Sequence, residues 1–239
     1  MNAIRLRRLV RRVHLWLGLL IAVQLVLWTA GGLIMSALKL EEVRGDDRTA
    51  KRPAATLDAD AALRAPAEVL RAHSAPATSL QLTTMLDRPV YRLKHADGTA
   101  LVDAMTGEPL SPLSRELAEQ LARADYSGAG AIAGIDWVET PDVEYRGRPL
   151  PLWRVRFADD RNTALYVSPE SGEVVARRND LWRLFDFVWM FHIMDYEERE
   201  DFNHPLLIAT AATALLFVFT GLVMLVLAFR PTAPAQERA

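Results

Sequence analysis

The sequence contains no cysteine among its 239 residues. This absence excludes disulfide bonds, haem attachment through a C-x-x-C-H motif, thiolate metal sites and cysteine nucleophiles. The sequence also lacks the H-E-x-x-H, G-x-S-x-G and P-loop motifs, and Gly128, Gly130 and Gly134 do not have the spacing of a dinucleotide-binding fingerprint. We therefore do not expect independent hydrolytic or nucleotide-dependent chemistry.

Charge is missing from two long runs of the chain. The first is Leu15 to Leu38 and the second is Pro205 to Phe229, each about 25 residues long, which as a helix reaches across a hydrocarbon core of about 30 Å. Between residues 15 and 229 lie 21 of the 28 basic residues and 29 of the 30 acidic ones. The segment between the two runs is therefore negative, which argues against nucleic acid as a partner.

The basic residues near the N-terminus predict the orientation of the first run. Five arginines precede it and hold that end in the cytoplasm by the positive-inside rule: Arg5, Arg7, Arg8, Arg11 and Arg12. A cleaved signal peptide is the competing interpretation, but the apolar run is too long and ends in the poor cleavage site Ser36-Ala37-Leu38-Lys39. We therefore predict two membrane spans, both termini in the cytoplasm and the intervening domain outside.

An internal repeat organises the segment between the spans. Residues 89–94 and 99–103 alternate apolar and polar side chains around an Asp-Gly turn, and residues 151–156 and 163–167 repeat this pattern. Each copy predicts an antiparallel hairpin with one buried face. Helical spacing occurs at 114–123 and at 57–72, where Pro66 predicts either a kink or a helix that starts late with Pro66 in its first turn.

These patterns predict a membrane protein in which two transmembrane α-helices flank an extracytoplasmic α+β domain made of two duplicated helix-plus-antiparallel-sheet units. The predicted division is a cytoplasmic basic N-terminus (1–14), a first transmembrane helix (15–38), a linker (39–56), a first unit (57–125), a second unit (126–180), an interfacial aromatic segment (181–204), a second transmembrane helix (205–229) and a cytoplasmic tail (230–239).

The repeat and the entry to the first span carry a family resemblance. The hairpin that ends in Thr106-Gly107-Glu108, its copy that ends in Ser171-Gly172-Glu173, and the stretch from Arg12 through His14 to Gly18 together resemble the PepSY-associated transmembrane proteins of bacteria. The resemblance implies an inner-membrane protein with PepSY-like units. Larger members of that family have four or more spans, and some are regarded as haem-b proteins that pass electrons to ferric siderophores.

Three of the five histidines lie at predicted membrane boundaries: His14, His192 and His204. Neutral imidazole is a good iron ligand, so these residues are the candidate haem ligands. The alternative is that they anchor helix ends, and His204 in particular is placed to cap the second span. The other two, His73 and His95, are expected to face solvent without a role.

The predicted topology puts His14 on the inner side of the membrane and His192 and His204 on the outer side. One protomer therefore cannot close a site with two histidine ligands, whereas a homodimer could pair each histidine with its counterpart. Small residues on one face of the first span favour close helix packing. Gly18 is expected to leave room beside His14 for a flat macrocycle or a neighbouring helix.

Two functions remain open at this level. The first is a haem-b electron-transfer subunit, as a homodimer or beside another membrane redox subunit, that passes electrons to an external acceptor such as ferric chelates. The second is a non-catalytic, membrane-anchored module that binds another protein or restrains a peptidase, as soluble members of the PepSY group are thought to do.

Overall fold

The computed structural model describes residues 3–51, 56–58, 61–73 and 76–229. The predicted cytoplasmic tail (230–239) and part of the predicted linker (52–55) lie outside these residues. The helices are α1 (Ala3–Ala37), α2 (Leu40–Arg44), α3 (Pro66–Ala72), α4 (Arg115–Asp125), α5 (Asp180–Ile193) and α6 (Pro205–Phe229). The strands are β1 (Ser79–Met85), β2 (Arg88–Lys94), β3 (Thr99–Asp103), β4 (Ala131–Val138), β5 (Leu152–Ala158), β6 (Ala164–Val167) and β7 (Val174–Arg178).

The chain divides into two compact units. One, the helical unit, comprises Met1–Ala37 and Asp186–Ala239, and the other, the sheet unit, comprises Leu38–Phe185. Two long apolar helices with a sheet-containing domain between them are compatible with a membrane protein that has a central α+β domain.

Helices α1 and α6 are both long and apolar enough to cross a membrane. Their apolar side chains remain uncovered within the protein, as at Leu20 (75% exposed) and Phe229 (81% exposed). An apolar surface of this extent is unfavourable in water and favourable in lipid. Length, composition and exposure therefore agree in identifying the two helices as candidate spans.

Helix α1 begins 12 residues before the predicted span. It runs without interruption through the arginine cluster, because arginine is a strong helix former and its long side chain carries the charge away from the helix axis. The Arg7 guanidinium donates a hydrogen bond to the Leu227 carbonyl oxygen at 2.6 Å. A cation at the carbonyl end of α6 satisfies an otherwise unpaired acceptor and opposes the negative end of the helix dipole.

The aromatic segment that was predicted to be interfacial forms α5, followed by a loop at 194–204. Within the helical unit, α5 packs along the second half of α1: Gln24 Nε2 donates to the Phe191 carbonyl oxygen at 2.9 Å. A Cβ added to Gly31 would lie 3.0 Å from Val188 Cγ1, so the glycine permits the close approach. Hydropathy could not predict this packing, because it depends on the composition of each segment and carries no information on which helices are in contact.

The sheet unit contains two separate antiparallel sheets, ordered β1-β2-β3 and β4-β5-β6-β7. Both predicted hairpins are confirmed, as β2 paired with β3 and β5 paired with β6. Each sheet is preceded by a helix. Helix α3 begins at Pro66, which confirms the late start, and α4 is capped by the Ser114 hydroxyl, which accepts from the Leu117 N–H at 3.3 Å.

The two sheets share one core. Val90 and Leu101 of the first sheet belong to the same buried cluster as Ala118 of α4 and Val155 and Leu165 of the second sheet. Helix α4 packs on β5, β6 and β7. The predicted boundary between residues 125 and 126 thus separates α4 from the second sheet, on which it packs. In sequence α4 lies between the two hairpins, and only its packing shows to which sheet it belongs.

The turns that end the two hairpins have the same geometry. In residues 103–108 and 168–173 the N–H of the first residue donates to the carbonyl of the sixth, at 2.9 Å in both turns. The fifth residue of each turn is a glycine at positive φ, Gly107 at 79° and Gly172 at 69°, and donates to the carbonyl of the first. Glycine occupies these positions because it adopts positive φ without steric cost.

Candidate functional site

His14 lies on the face of α1 that packs against α6. Its ring stacks on the Phe217 ring with 4.2 Å between centroids and 11° between planes. A Cβ on Gly221 would lie 3.2 Å from His14 Cε1, so the glycine makes room for the imidazole. Helix α6 continues eight residues beyond Gly221, about 12 Å at the rise of an α-helix. The ring therefore lies inside the helix pair rather than at its end.

The proton on His14 is assigned by its neighbours. Nδ1 lies 2.9 Å from Thr220 Oγ1 and 3.1 Å from the Phe217 carbonyl oxygen. A carbonyl oxygen can only accept, and the Thr220 hydroxyl donates its own proton to the same carbonyl at 2.8 Å. Nδ1 therefore carries hydrogen and donates, which leaves a lone pair on Nε2 of the neutral ring.

This tautomer suits metal ligation. Histidines that bind metals through Nε2 usually donate the other ring N–H to a carbonyl or similar acceptor, which fixes the ring and increases its basicity. Within the described part of the chain, Nε2 of His14 has no hydrogen-bond partner. Nε2 of His14 is therefore the nitrogen that could bind a metal ion.

The space beside Gly18 is occupied by the neighbouring helix. A Cβ on residue 18 would lie 2.8 Å from Phe217 Cε2, whereas a Cβ on Gly32 would meet nothing within 4 Å. Of the two alternatives predicted for Gly18, a close helix therefore describes the structure, and no room for a macrocycle remains at that position. The small residues of α1 do not form one uniform surface, because Gly18 contacts α6 of the same protomer and Gly32 faces open space.

His192 occupies the last turn of α5, beside two tryptophans. Its ring centroid lies 6.3 Å from that of Trp28 and 6.2 Å from that of Trp189, and its backbone carbonyl accepts from Trp28 Nε1 at 2.8 Å. The buried Nδ1 atom has no hydrogen-bond partner among the described residues. A buried ring nitrogen without a partner costs about 1–3 kcal/mol, which a ligand or a bound water would recover.

His204 uses both of its ring nitrogens in hydrogen bonds. The Leu207 N–H donates to Nδ1 at 3.4 Å, which makes His204 an N-cap of α6. With Nδ1 accepting, the hydrogen lies on Nε2, which donates to the Ile193 carbonyl oxygen at 2.9 Å. Of the three predicted ligands, His204 is therefore the one that caps a helix. To bind iron it would have to lose one of these two hydrogen bonds.

The structure does not bring His14 and His192 together. His192 is bonded through its backbone to Trp28, which is 14 residues beyond His14 on α1, or about 21 Å along the helix axis. Two imidazoles that bind one metal ion each lie about 2 Å from it, so rings this far apart cannot share an ion. In one protomer, His14 and His192 are therefore two separate candidate ligands that cannot bind the same iron.

The loop between α5 and α6 is held together by hydrogen bonds to one carboxylate. Asp195 accepts four backbone N–H groups, from residues 197, 198, 200 and 201, at 2.9–3.2 Å. Burial alone would raise the pKa of Asp195, but these hydrogen bonds outweigh it and hold the pKa below its ordinary value.

Arg199 turns inward from this loop. Its guanidinium pairs with Asp186 at 2.6 Å, and the Asp186 side chain is only 4% exposed. Its backbone carbonyl accepts from Trp189 Nε1 at 3.2 Å. The loop is therefore fastened to α5 at Asp186 and Trp189.

The sheet unit contains an open cleft where its two sheets meet. The cleft has a volume of about 340 Å³ and is lined by Met85, Arg92, Leu121, Asp125 and Gly172, among others. Arg92 pairs with Glu173 at 2.8 Å. In the described ranges, no group of three or more histidine, cysteine or acidic residues is arranged to hold a metal ion.

Comparison with known proteins identifies no relative of this chain. The chain matches no protein-family model, and no curated protein or solved structure is significantly similar to it.

Proposed function

We propose that this chain is a haem-b electron-transfer protein of the bacterial inner membrane, in which His14 would hold the haem iron. The observation that carries the proposal is the free Nε2 of His14, whose tautomer is held by the Thr220 hydroxyl and the Phe217 carbonyl. When bound, haem b supplies reversible one-electron chemistry. The chain's own residues hold the imidazole at one angle and keep its proton on Nδ1.

The orientation of the protein follows from its arginines. With five arginines before the apolar run, both termini are cytoplasmic and the sheet unit is periplasmic. His14 then lies in the inner half of the membrane and His192, about 21 Å farther along α1, in the outer half. Electrons would pass outward, to an external acceptor such as a ferric chelate.

A second protein chain completes each iron site in this proposal. Because His14 and His192 are far apart in one protomer, a second residue that would hold the same iron has to come from another copy or from another membrane redox subunit. The open surface around Gly32 is available for such a neighbour, since a Cβ there meets nothing within 4 Å.

The sheet unit in this proposal is a tandem of PepSY-like units. Two observations support duplication: each sheet follows a helix as an antiparallel meander, and the turns at 103–108 and 168–173 share their hydrogen bonds and their glycine at positive φ. Identical turn chemistry at equivalent places is a stronger sign of common origin than the alternation of the strands, which any half-buried sheet requires.

The test is the absorption spectrum of the full-length protein, purified in detergent from haem-replete cells. We expect a Soret band and a reduced-minus-oxidised α band, lost on His14→Ala and diminished on His192→Ala. His204→Ala is the matched control, because its nitrogens are engaged in capping, and it should keep the pigment. Thr220→Val should keep the haem but raise its midpoint potential, because an Nδ1–H that donates less makes the ligand less basic.

A membrane-anchored interaction module is the second candidate, favoured by the cleft of about 340 Å³ in a sheet unit that has its own core. The same experiment separates the two. Colourless protein from haem-replete cells, or pigment that survives both His14→Ala and His192→Ala, would contradict the electron-transfer proposal and favour the interaction module.

A further inference from the structure

Strand β1 lies at one edge of the first sheet, where it pairs with β2 on one side. It is seven residues long, Ser79–Met85, and its pairing with β2 contains no bulge. It contains no charged residue, no proline and no glycine. A long, regular and uncharged edge strand is a template for pairing with another strand, because its outer row of backbone N–H and C=O groups is unpaired.

The other sheet edges in the described part of the chain are protected. Residues 108–111 cover β3, where the Leu110 N–H donates to the Leu101 carbonyl at 2.8 Å. Strand β4 has a bulge between Ile132 and Gly134. Strand β7 carries two arginines and packs against α2. Covering segments, bulges and charges are how natural proteins prevent edge pairing, and in the described ranges β1 has none of them.

The turn between β1 and β2 determines which backbone groups point outward. Leu86 and Asp87 both have positive φ, 49° and 62°, as in a two-residue type I′ turn. Such a turn makes Met85 and Arg88 a hydrogen-bonded pair, so that every second residue of β1 bonds to β2. The outward-facing groups belong to the residues in between: Leu80, Leu82 and Thr84. Among the described residues, no other backbone group bonds to these three.

The side chains of β1 are compatible with a partner strand of the same sequence. Leu82 packs on the cluster that contains Val69 of α3, and Gln81 is exposed. If two copies of β1 pair antiparallel about Leu82, this residue faces Leu82 of the partner subunit, and Gln81 faces Thr83 of the partner subunit. Apolar side chains then lie beside apolar ones and polar beside polar. No like charges meet, because the strand has no charge.

A second copy is also the partner that leaves no unprotected edge in this sheet. Antiparallel strands related by a twofold axis are equivalent, so one contact covers the free edge of both copies. The joined sheet contains three strands from each copy, in the order β3-β2-β1-β1-β2-β3. It ends on both sides at a β3 strand that residues 108–111 cover.

We propose that β1 is a homodimer interface, at which it pairs antiparallel with β1 of a second copy to form one continuous sheet. The backbone groups of Leu80, Leu82 and Thr84 supply the hydrogen bonds between the copies. The inference is independent of the proposed electron-transfer function, because β1 belongs to the sheet unit and contains none of the candidate haem ligands.

The test is cross-linking of single-cysteine variants, which the absence of natural cysteine makes specific. In the paired strands, Gln81→Cys is diagonal to its counterpart at about 7–8 Å, within reach of a short bismaleimide. We expect full-length Gln81→Cys in detergent to form a cross-linked dimer. Ala131→Cys is the matched control, because it is exposed on the protected edge strand β4, and it should remain monomeric.

Two further substitutions in the Gln81→Cys protein should lower the dimer yield several-fold. Thr84→Pro removes an outward-facing N–H and none that bonds to β2. Ser79→Lys adds a charge at an exposed position of the same strand, which disfavours edge pairing. Thermal unfolding identifies a substitution that damages the fold, and the other substitution then decides the test.

Three results would overturn this proposal. The first is a dimer yield for Gln81→Cys no higher than that for Ala131→Cys. The second is a yield that a correctly folded Thr84→Pro or Ser79→Lys variant leaves unchanged. The third is cross-linking of Gln81→Cys in intact cells to a different protein in place of a second copy. None of these results depends on pigment, so failure here and failure of the proposed electron-transfer function are distinguishable.

Discussion

Replacing Asp159 by asparagine lowers the free energy of unfolding of the sheet unit by about 3 kcal/mol, as expected when one partner of a buried ion pair loses its charge. The Asp159 side chain is 4% exposed and pairs with Arg48 at 2.6 Å. It also accepts from the Tyr126 hydroxyl at 2.8 Å and from the Thr163 hydroxyl at 2.6 Å. One carboxylate thus joins the segment after α1, the end of α4 and the β5–β6 turn.

The effect of Asp159→Asn depends on pH. Burial alone would raise the pKa of Asp159, but hydrogen bonds from Thr163, Tyr126 and Arg48 outweigh it and hold the pKa well below its ordinary value. A group whose pKa is lower in the folded state stabilises the fold fully above its unfolded pKa of about 3.9 and loses that contribution as the pH falls below it. The difference in unfolding free energy between the wild type and Asp159→Asn should therefore become smaller as the pH is lowered from about 5.

Asp160→Asn is the matched control, because Asp160 pairs with the same arginine at 2.7 Å but its side chain is 74% exposed. Exposed ion pairs contribute about 0–1 kcal/mol, so this variant should be close to the wild type. Thermal unfolding of the full chain in detergent at several pH values measures both variants. Two outcomes would contradict the role of the buried Asp159 carboxylate. One is equal destabilisation by the two substitutions, and the other is a difference in unfolding free energy that does not change with pH.

Replacing Gly18 by leucine should separate α1 from α6 and destabilise the helical unit by about 1–3 kcal/mol, the usual cost of overpacking. The first added carbon would already lie 2.8 Å from Phe217 Cε2, and leucine adds three more carbons beyond it. Phe217 must then leave its stacking position on His14. The variant should also lose whatever pigment depends on that imidazole.

The control for this variant is Gly32→Leu on the same helix, where a Cβ meets nothing within 4 Å. Leucine has a higher helix propensity than glycine by up to about 1 kcal/mol, so this variant should be as stable as the wild type or slightly more stable. The measurement is the temperature at which the monodisperse peak in detergent is lost. If both leucine variants had the same melting temperature, the close contact at Gly18 would not be what holds α1 against α6.

Elements with a strong local pattern were predictable. Alternation of side chains identified the β2–β3 and β5–β6 hairpins, and Pro66 and Ser114 marked where α3 and α4 begin. Strands β1, β4 and β7 were not predicted, since their periodicity is weak and their positions depend on pairing with the hairpins. Helix α4 was identified, but the sheet on which it packs was not.

The candidate site was likewise predictable only in part. The three boundary histidines could be selected because hydropathy marks the ends of the apolar runs. Their chemical states could not, because a tautomer is set by whichever carbonyl or hydroxyl a neighbouring helix supplies. His14 and His204 are both candidate ligands in sequence, with His204 also placed to cap α6. In the structure, one nitrogen of His14 remains free beside Thr220, whereas Leu207 and Ile193 engage both nitrogens of His204.

The sequence by itself determined the two apolar helices, the hairpins between them and the absence of cysteine chemistry, because each of these depends on residues that are close together in the chain. Tertiary structure alone decided that the hairpins lie in separate sheets around one core and that α6 fills the space beside Gly18. These features depend on contacts between segments far apart in sequence, whose approach is set by packing and backbone hydrogen bonding and not by any local periodicity.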